Sequence, residues 1–115
     1  MRYALLIYGG ADWSTFDEEE QQLQMQQYTD IAMAPKTQSG ADLGDLSKAT
    51  TVQVQNGKTL TTDGPFAETK EQLGGFYLIE VDSLDDAIEW AAKIPSARGG
   101  TIEVRPLVPM QVPAQ

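Results

Sequence analysis

The chain has no cysteine and no histidine, sets only 8 lysines and arginines against 17 aspartates and glutamates, and contains no long hydrophobic run. Each lack excludes a class of chemistry. Without thiols or imidazoles there is no disulfide framework, no cysteine nucleophile, no Ser-His-Asp triad, no Cys/His zinc site and no iron site built on two histidines. Proton transfer near pH 7 falls to Asp, Glu, Lys or Tyr with a displaced pKa. The formal charge of −9 repels nucleic-acid backbones and anionic membranes, so neither is expected as a partner. No window approaches the ~18 apolar residues of a membrane span. The apolar stretch 4–8 is too short for a signal segment, and the chain reads as cytoplasmic. Asp42-x-x-Asp45 and Asp85-Asp86 lack the ligand count and loop spacing of a calcium site, so neither metal nor cofactor is expected.

What is present is an ordinary globular composition, 41% hydrophobic over 115 residues. That predicts one domain, residues 1–108, followed by a tail, 109–115; Val108 just before it, with Met110 and Val112 in it, suit packing on a partner. Residues 2–8 and 76–81 are apolar at both parities, the mark of central strands covered on both faces. A helix over about 16–34 is predicted from a Thr15-x-x-Glu18 capping box, with acidic residues 17–20 in its first turn. Its apolar stripe of Leu23, Tyr28, Ile31 and Ala34 is imperfect, because Gln24 and Gln27 fall in the same sector. Residues 41–47 read as a weak edge strand or a loop. Two β-branched runs flank Asn56-Gly57, the signature of a type I′ hairpin, since both turn positions need positive φ. Residues 67–73 suit a short helical turn. Ser83 caps a second helix with Leu84, Ala87, Ile88 and Ala91 on one side, stopped by Pro95. Residues 101–107 alternate as a last strand.

The order is βαββαβ with a hairpin inserted, an α+β, ferredoxin-like sandwich with both helices on one sheet face. Doubly apolar central strands then leave an uncovered apolar face, which a homodimer with two sheets packed face to face would bury. Tyr3, Tyr8, Tyr77 and Trp90 suit the core or that interface.

Asp63-Gly64-Pro65-Phe66, with Glu68, Lys70 and Glu71, is the densest polar motif. Read structurally it is a solvated turn, with Asp63 capping, Pro65 presetting φ and Phe66 anchoring. Read functionally, Asp63 projects into a cleft with Lys70 opposite, and burial beside Phe66 raises its pKa. Arg98 and Arg105 suit carboxylate or phosphate recognition. The structural alternative has Arg98 capping the preceding helix and Arg105 pairing with Glu103 or Glu80.

Asp63-Gly64-Pro65-Phe66-Ala67-Glu68-Thr69-Lys70-Glu71-Gln72-Leu73-Gly74-Gly75-Phe76 resembles the signature of the DGPF branch of the YCII-related proteins. Residues 1–8, 84–95, 97–100 and 102–106 match it as well. The resemblance implies a ferredoxin-like fold assembled as a dimeric α+β barrel. It implies a small-molecule-binding or regulatory module, some relatives being encoded beside extracytoplasmic-function sigma factors. The alternative is a cofactor-free isomerase- or lyase-like enzyme using Asp63 as general acid/base, with Pro65, Phe66, Lys70 and Arg98 binding substrate. YCII proteins proper are associated with a His-Asp pair. That pair does not carry over to a chain without histidine, and Asp63 is the acidic candidate left. Between about Met33 and Lys48 the sequence is shorter than its branch and lacks the usual glycine-rich stretch.

Overall fold

The two runs that are apolar at both parities lie side by side at the centre of the main sheet. In the computed structural model, which describes residues 1–10, 12–66 and 71–109, β1 (Arg2–Gly9) pairs with β5 (Leu73–Glu80) on one side and β6 (Gly100–Pro106) on the other. With β2 (Thr37–Asp42) at the far edge, the order is β2-β5-β1-β6 and every pairing is antiparallel. Helix α1 (Glu18–Ala32) and helix α2 (Leu84–Ala92) complete a ferredoxin-like α+β fold. The edge strand covers Thr37–Asp42 rather than 41–47, whose remainder forms a 3-10 turn at Leu46–Lys48.

One face of the sheet carries the core. Leu5 and Ile79 are wholly buried with Tyr3 and Tyr77, against Ile31 of α1, Ala87 and Ala91 of α2, and Ile94 just beyond it. Strand alternation sends Leu6, Tyr8, Phe76 and Leu78 to the opposite face, where they are only half-buried. Among the described residues no helix is long and apolar enough to cross a membrane.

Helix starts follow their caps, with one shift. Ser83 Oγ accepts from Asp86 N at 3.2 Å, as the spacing predicts. For α1 the cap is Asp17, whose Oδ1 accepts from Glu20 N at 2.8 Å. Thr15 belongs to a preceding 3-10 turn, Trp13–Thr15, where its hydroxyl is spent on Asp12 O. The inward face of α1 keeps Ile31 and Tyr28 of the expected stripe but has Gln24 in place of Leu23. Gln24 and Ile31 are buried, whereas Leu23 and Met25 are 51% and 60% exposed.

The Asn-Gly hairpin forms as read: β3 (Thr50–Gln55) and β4 (Lys58–Asp63) flank Asn56 at φ 52° and Gly57 at φ 76°. It is a sheet of its own. The molecule measures 51 × 40 × 20 Å with a radius of gyration of 16.8 Å, against about 13 Å for a compact chain of this length. The helical turn expected over 67–73 falls mostly on residues 67–70, outside the described ones, and Leu73 already opens β5. Of the tail, Val108 is exposed, and residues 110–115 lie outside the description.

Candidate functional site

Three segments far apart in sequence meet at one end of the sheet around a cleft of about 300 Å³. They are the end of β1, the first three turns of α1 with the turn before it, and the connection from α2 to β6. Gly9 and Gly10 leave β1 with φ of 64° and 116°, a left-handed path that favours glycine. Gly100 faces them across the ladder, where a Cβ would overlap Tyr8 O and stand 2.7 Å from Gly10 N. Only glycine lets the backbones approach this closely.

The lip is a small aromatic corner. Asp12 Oδ1 accepts from Ser14 N and Ser14 Oγ at 2.9 and 2.8 Å, fixing the turn that presents Trp13. These bonds hold the Asp12 carboxyl below the usual carboxylate range. Trp13 and Phe16 meet edge to face at 6.3 Å. Gln21 Nε2 donates to both their carbonyls, tying the corner to α1.

Glu20, Gln24 and Tyr28 follow one another at i, i+4 and i+8, a single stripe of α1 directed into the cleft. Gln24 is 8% exposed. Its Nε2 donates to Glu20 Oε1 at 2.9 Å, and its amide oxygen receives no hydrogen bond among the described residues and opens toward the cleft. Tyr28 and Ser96 share a hydroxyl–hydroxyl hydrogen bond. Beneath them Tyr77 Oη donates to Tyr28 O at 3.0 Å. Burial, with the charges of Tyr28 and Asp42 nearby, pushes the Tyr77 pKa up to about 12.

Arg98 closes the opposite wall. Rather than capping α2, it donates from Nη2 to Gln27 Oε1 at 3.4 Å, and no carboxylate among the described residues lies within ion-pair distance of it. Arg105 is committed elsewhere, with Nε 2.6 Å from Glu103 Oε1 on the open sheet face. It is the charge partner of an oxygen shielded from water and otherwise unbonded.

Of the residues singled out in the sequence, Arg98 lines the cleft, whereas Asp63, Pro65 and Phe66 do not. Asp63 ends β4 on an exposed stretch, and Phe66 is 80% exposed, so Asp63 is not buried beside Phe66 in the single chain. Lys70 lies outside the described residues. The far end of that motif does come near the cleft, since a Cβ on Gly9 would stand 3.1 Å from Glu71 Cγ. Glu20, Gln24, Tyr28 and Ser96 were missed as site residues. The signal for one of them was visible, a glutamine inside the apolar sector of an amphipathic helix. Among the described residues no cluster of acidic side chains could hold a metal ion.

The model of the YCII-related domain matches residues 1–111. A relative from Rhizobium meliloti (strain 1021), itself an uncharacterised protein, is 39% identical, the match covering 93% of this chain and 92% of the relative.

Proposed function

The chain belongs to the YCII-related domain family, and from that premise we propose that it is a small-molecule-binding module whose ligand sits between Trp13, Gln24 and Arg98. The observation that carries this reading is Gln24. The residue is only 8% exposed, yet its amide oxygen receives no hydrogen bond from the described residues and opens on the cleft, where a ligand donor can take the place of water. A ligand N–H or O–H supplies the missing donor. Arg98, without a carboxylate partner among the described residues, supplies a fork for an anionic group, and the Trp13–Phe16 corner a flat apolar surface. The ligand class is therefore a small planar carboxylate carrying a hydrogen-bond donor. A regulatory use of the same cleft, and a place in the DGPF branch beside sigma factors, rest on the resemblance alone. The same family premise supports a homodimer in which open sheet faces meet, burying Leu6, Tyr8, Phe76 and Leu78. The catalytic alternative, with Asp63 as general acid/base, has less support because nothing apolar buries that carboxylate.

The test uses the two tryptophans of the chain. In a Trp90→Phe background, pyrrole-2-carboxylate is titrated against Trp13 fluorescence. Saturable quenching that weakens about tenfold in Arg98→Met, the loss of one charge-assisted contact, supports the reading. Quenching indifferent to Arg98, or none up to millimolar probe, overturns it.

A further inference from the structure

Glu20 and Arg98 are the charged side chains among the residues that line the cleft, and they do not pair. Neither has an ion-pair partner among the described residues. Each is tied instead to its own glutamine of α1. Gln24 Nε2 donates to Glu20 Oε1 at 2.9 Å, and Arg98 Nη2 donates to Gln27 Oε1 at 3.4 Å. Glu20 and Gln27 lie two helical turns, or about 10 Å, apart along the axis. The negative group is thus held toward the start of α1, and the positive one reaches the helix further along. Two opposite charges kept apart in one cleft match a ligand that carries both.

The helix start does not account for Glu20. Glu18 and Glu19 already place two exposed carboxylates in the first turn, where the helix dipole favours them. Glu20 is the half-buried member of the three and the one that lines the cleft. On a chain of net charge −9 a further unpaired carboxylate is repelled, whereas a bound cation is attracted. Trp13 and Phe16 belong to the same lining, and aromatic rings also attract cations. Gln24, one turn from Glu20, opens its amide oxygen to the same space. An ammonium carries three N–H donors, so one such group satisfies both the amide oxygen and the carboxylate.

We propose that the ligand is a zwitterion, an aromatic carboxylate bearing an ammonium group. The ammonium sits at Glu20 and Gln24, and the carboxylate at Arg98. This rests on the binding reading above and adds that the donor received by Gln24 is positively charged.

Two probes of nearly the same shape test the addition separately from the reading beneath it. Para-(aminomethyl)benzoate carries the ammonium, and para-(hydroxymethyl)benzoate carries a neutral donor in its place. Both are titrated near pH 7 against Trp13 fluorescence in the Trp90→Phe background. The ammonium probe should bind about tenfold more tightly, the gain of one charge-assisted contact. Glu20→Gln should bring it to the level of the neutral probe and leave the neutral probe unchanged. Glutamine keeps an acceptor for Gln24 Nε2, so the variant removes the charge and not the hydrogen bond. Equal affinities, both weakened by Arg98→Met, overturn the zwitterion and leave the binding module standing, as does binding of pyrrole-2-carboxylate alone. A preference for the ammonium probe that survives Glu20→Gln also overturns the zwitterion, because the attraction then comes from the acidic surface at large. No quenching by any of the three probes overturns both.

Discussion

Tyr28 on α1 and Ser96 in the α2–β6 connection, 68 residues apart in sequence, share a hydrogen bond between their hydroxyls. This contact ties one wall of the cleft to the other. Tyr28→Phe and Ser96→Ala should each cost about 1 kcal/mol, the usual net worth of such a bond. The double variant should cost clearly less than their sum, because the second change removes a group already unpaired. Urea denaturation of the four proteins in the cycle checks this, and full additivity would show that the bond contributes nothing.

Burial, with the charges of Tyr28 and Asp42, pushes the Tyr77 pKa up to about 12 in the fold, against about 10 when unfolded. The raised value favours the neutral form, so its contribution is fully present below pH 10 and declines as pH rises toward 12, where the unfolded chain has lost the proton and the folded one has not. Alkaline unfolding should therefore be steeper between pH 10 and 12 in the native protein than in Tyr77→Phe. Phenylalanine removes both the titration and the donation to Tyr28 O, lowering stability near neutral pH. Equal slopes would exclude Tyr77 as the titrating group.

Most of the fold was legible because its signals are local. The runs at β1 and β5 are apolar at both parities and became the central strands. Asn56-Gly57 specified its turn through two positive φ values, and Ser83 marked the start of α2. What stayed hidden is non-local. The cleft needs Gly10, Gln24 and Arg98 brought together from three segments, and no spacing rule encodes that. The inward face of α1 misled for a related reason: a helix that lines a polar cleft buries a glutamine and leaves Leu23 outside. Hydrophobicity still places Ile31 and Tyr28 inward and misplaces only Leu23. The Asp63 motif stood out by composition, yet its first four residues sit on or beside the hairpin, away from the cleft.

Gly100→Ala should be among the most damaging single changes. The added methyl meets Tyr8 O and Gly10 N, which are backbone atoms of a packed ladder and cannot rotate away. A loss of about 2–3 kcal/mol follows from overpacking at a rigid site. Gly44 is the matched control, because a Cβ there meets nothing within 4 Å, and Gly44→Ala should stay within about 0.5 kcal/mol of the native protein. Thermal unfolding of the pair decides the matter, and similar melting temperatures would show that β1 and β6 can part at that end without cost.

Asp12 holds the turn beneath Trp13 as a carboxylate, and its two bonds from Ser14 depress its pKa. A depressed value means that the cap is intact above the ordinary carboxylate range and lost as pH falls through the folded pKa. In the Trp90→Phe background, Trp13 emission should shift toward that of a solvated indole on acidification below about pH 4. Asp12→Asn should abolish that transition, since an amide does not titrate there. A transition that survives in Asp12→Asn would assign the loosening to other carboxylates.

Gln24→Leu sets stability against binding. Leucine has nearly the same length, removes the unmet amide oxygen and presents apolar surface to Tyr28 and Phe16 across the cleft. The partner it strands is Glu20, which is only half-buried, so water takes over its hydrogen bond at little cost. An amide oxygen open to the cleft already has water as a donor, so its loss costs the fold little, and the melting temperature should stay within a few degrees. Quenching of Trp13 by pyrrole-2-carboxylate should fall about tenfold or more, because the acceptor that the ligand's N–H requires is gone. A polar residue whose removal leaves the fold intact and abolishes binding is held for its ligand. If Gln24→Leu instead lost several degrees while the probe bound as before, the amide would be a structural strut of α1, and the ligand would have to be sought along Arg98 and Trp13 alone.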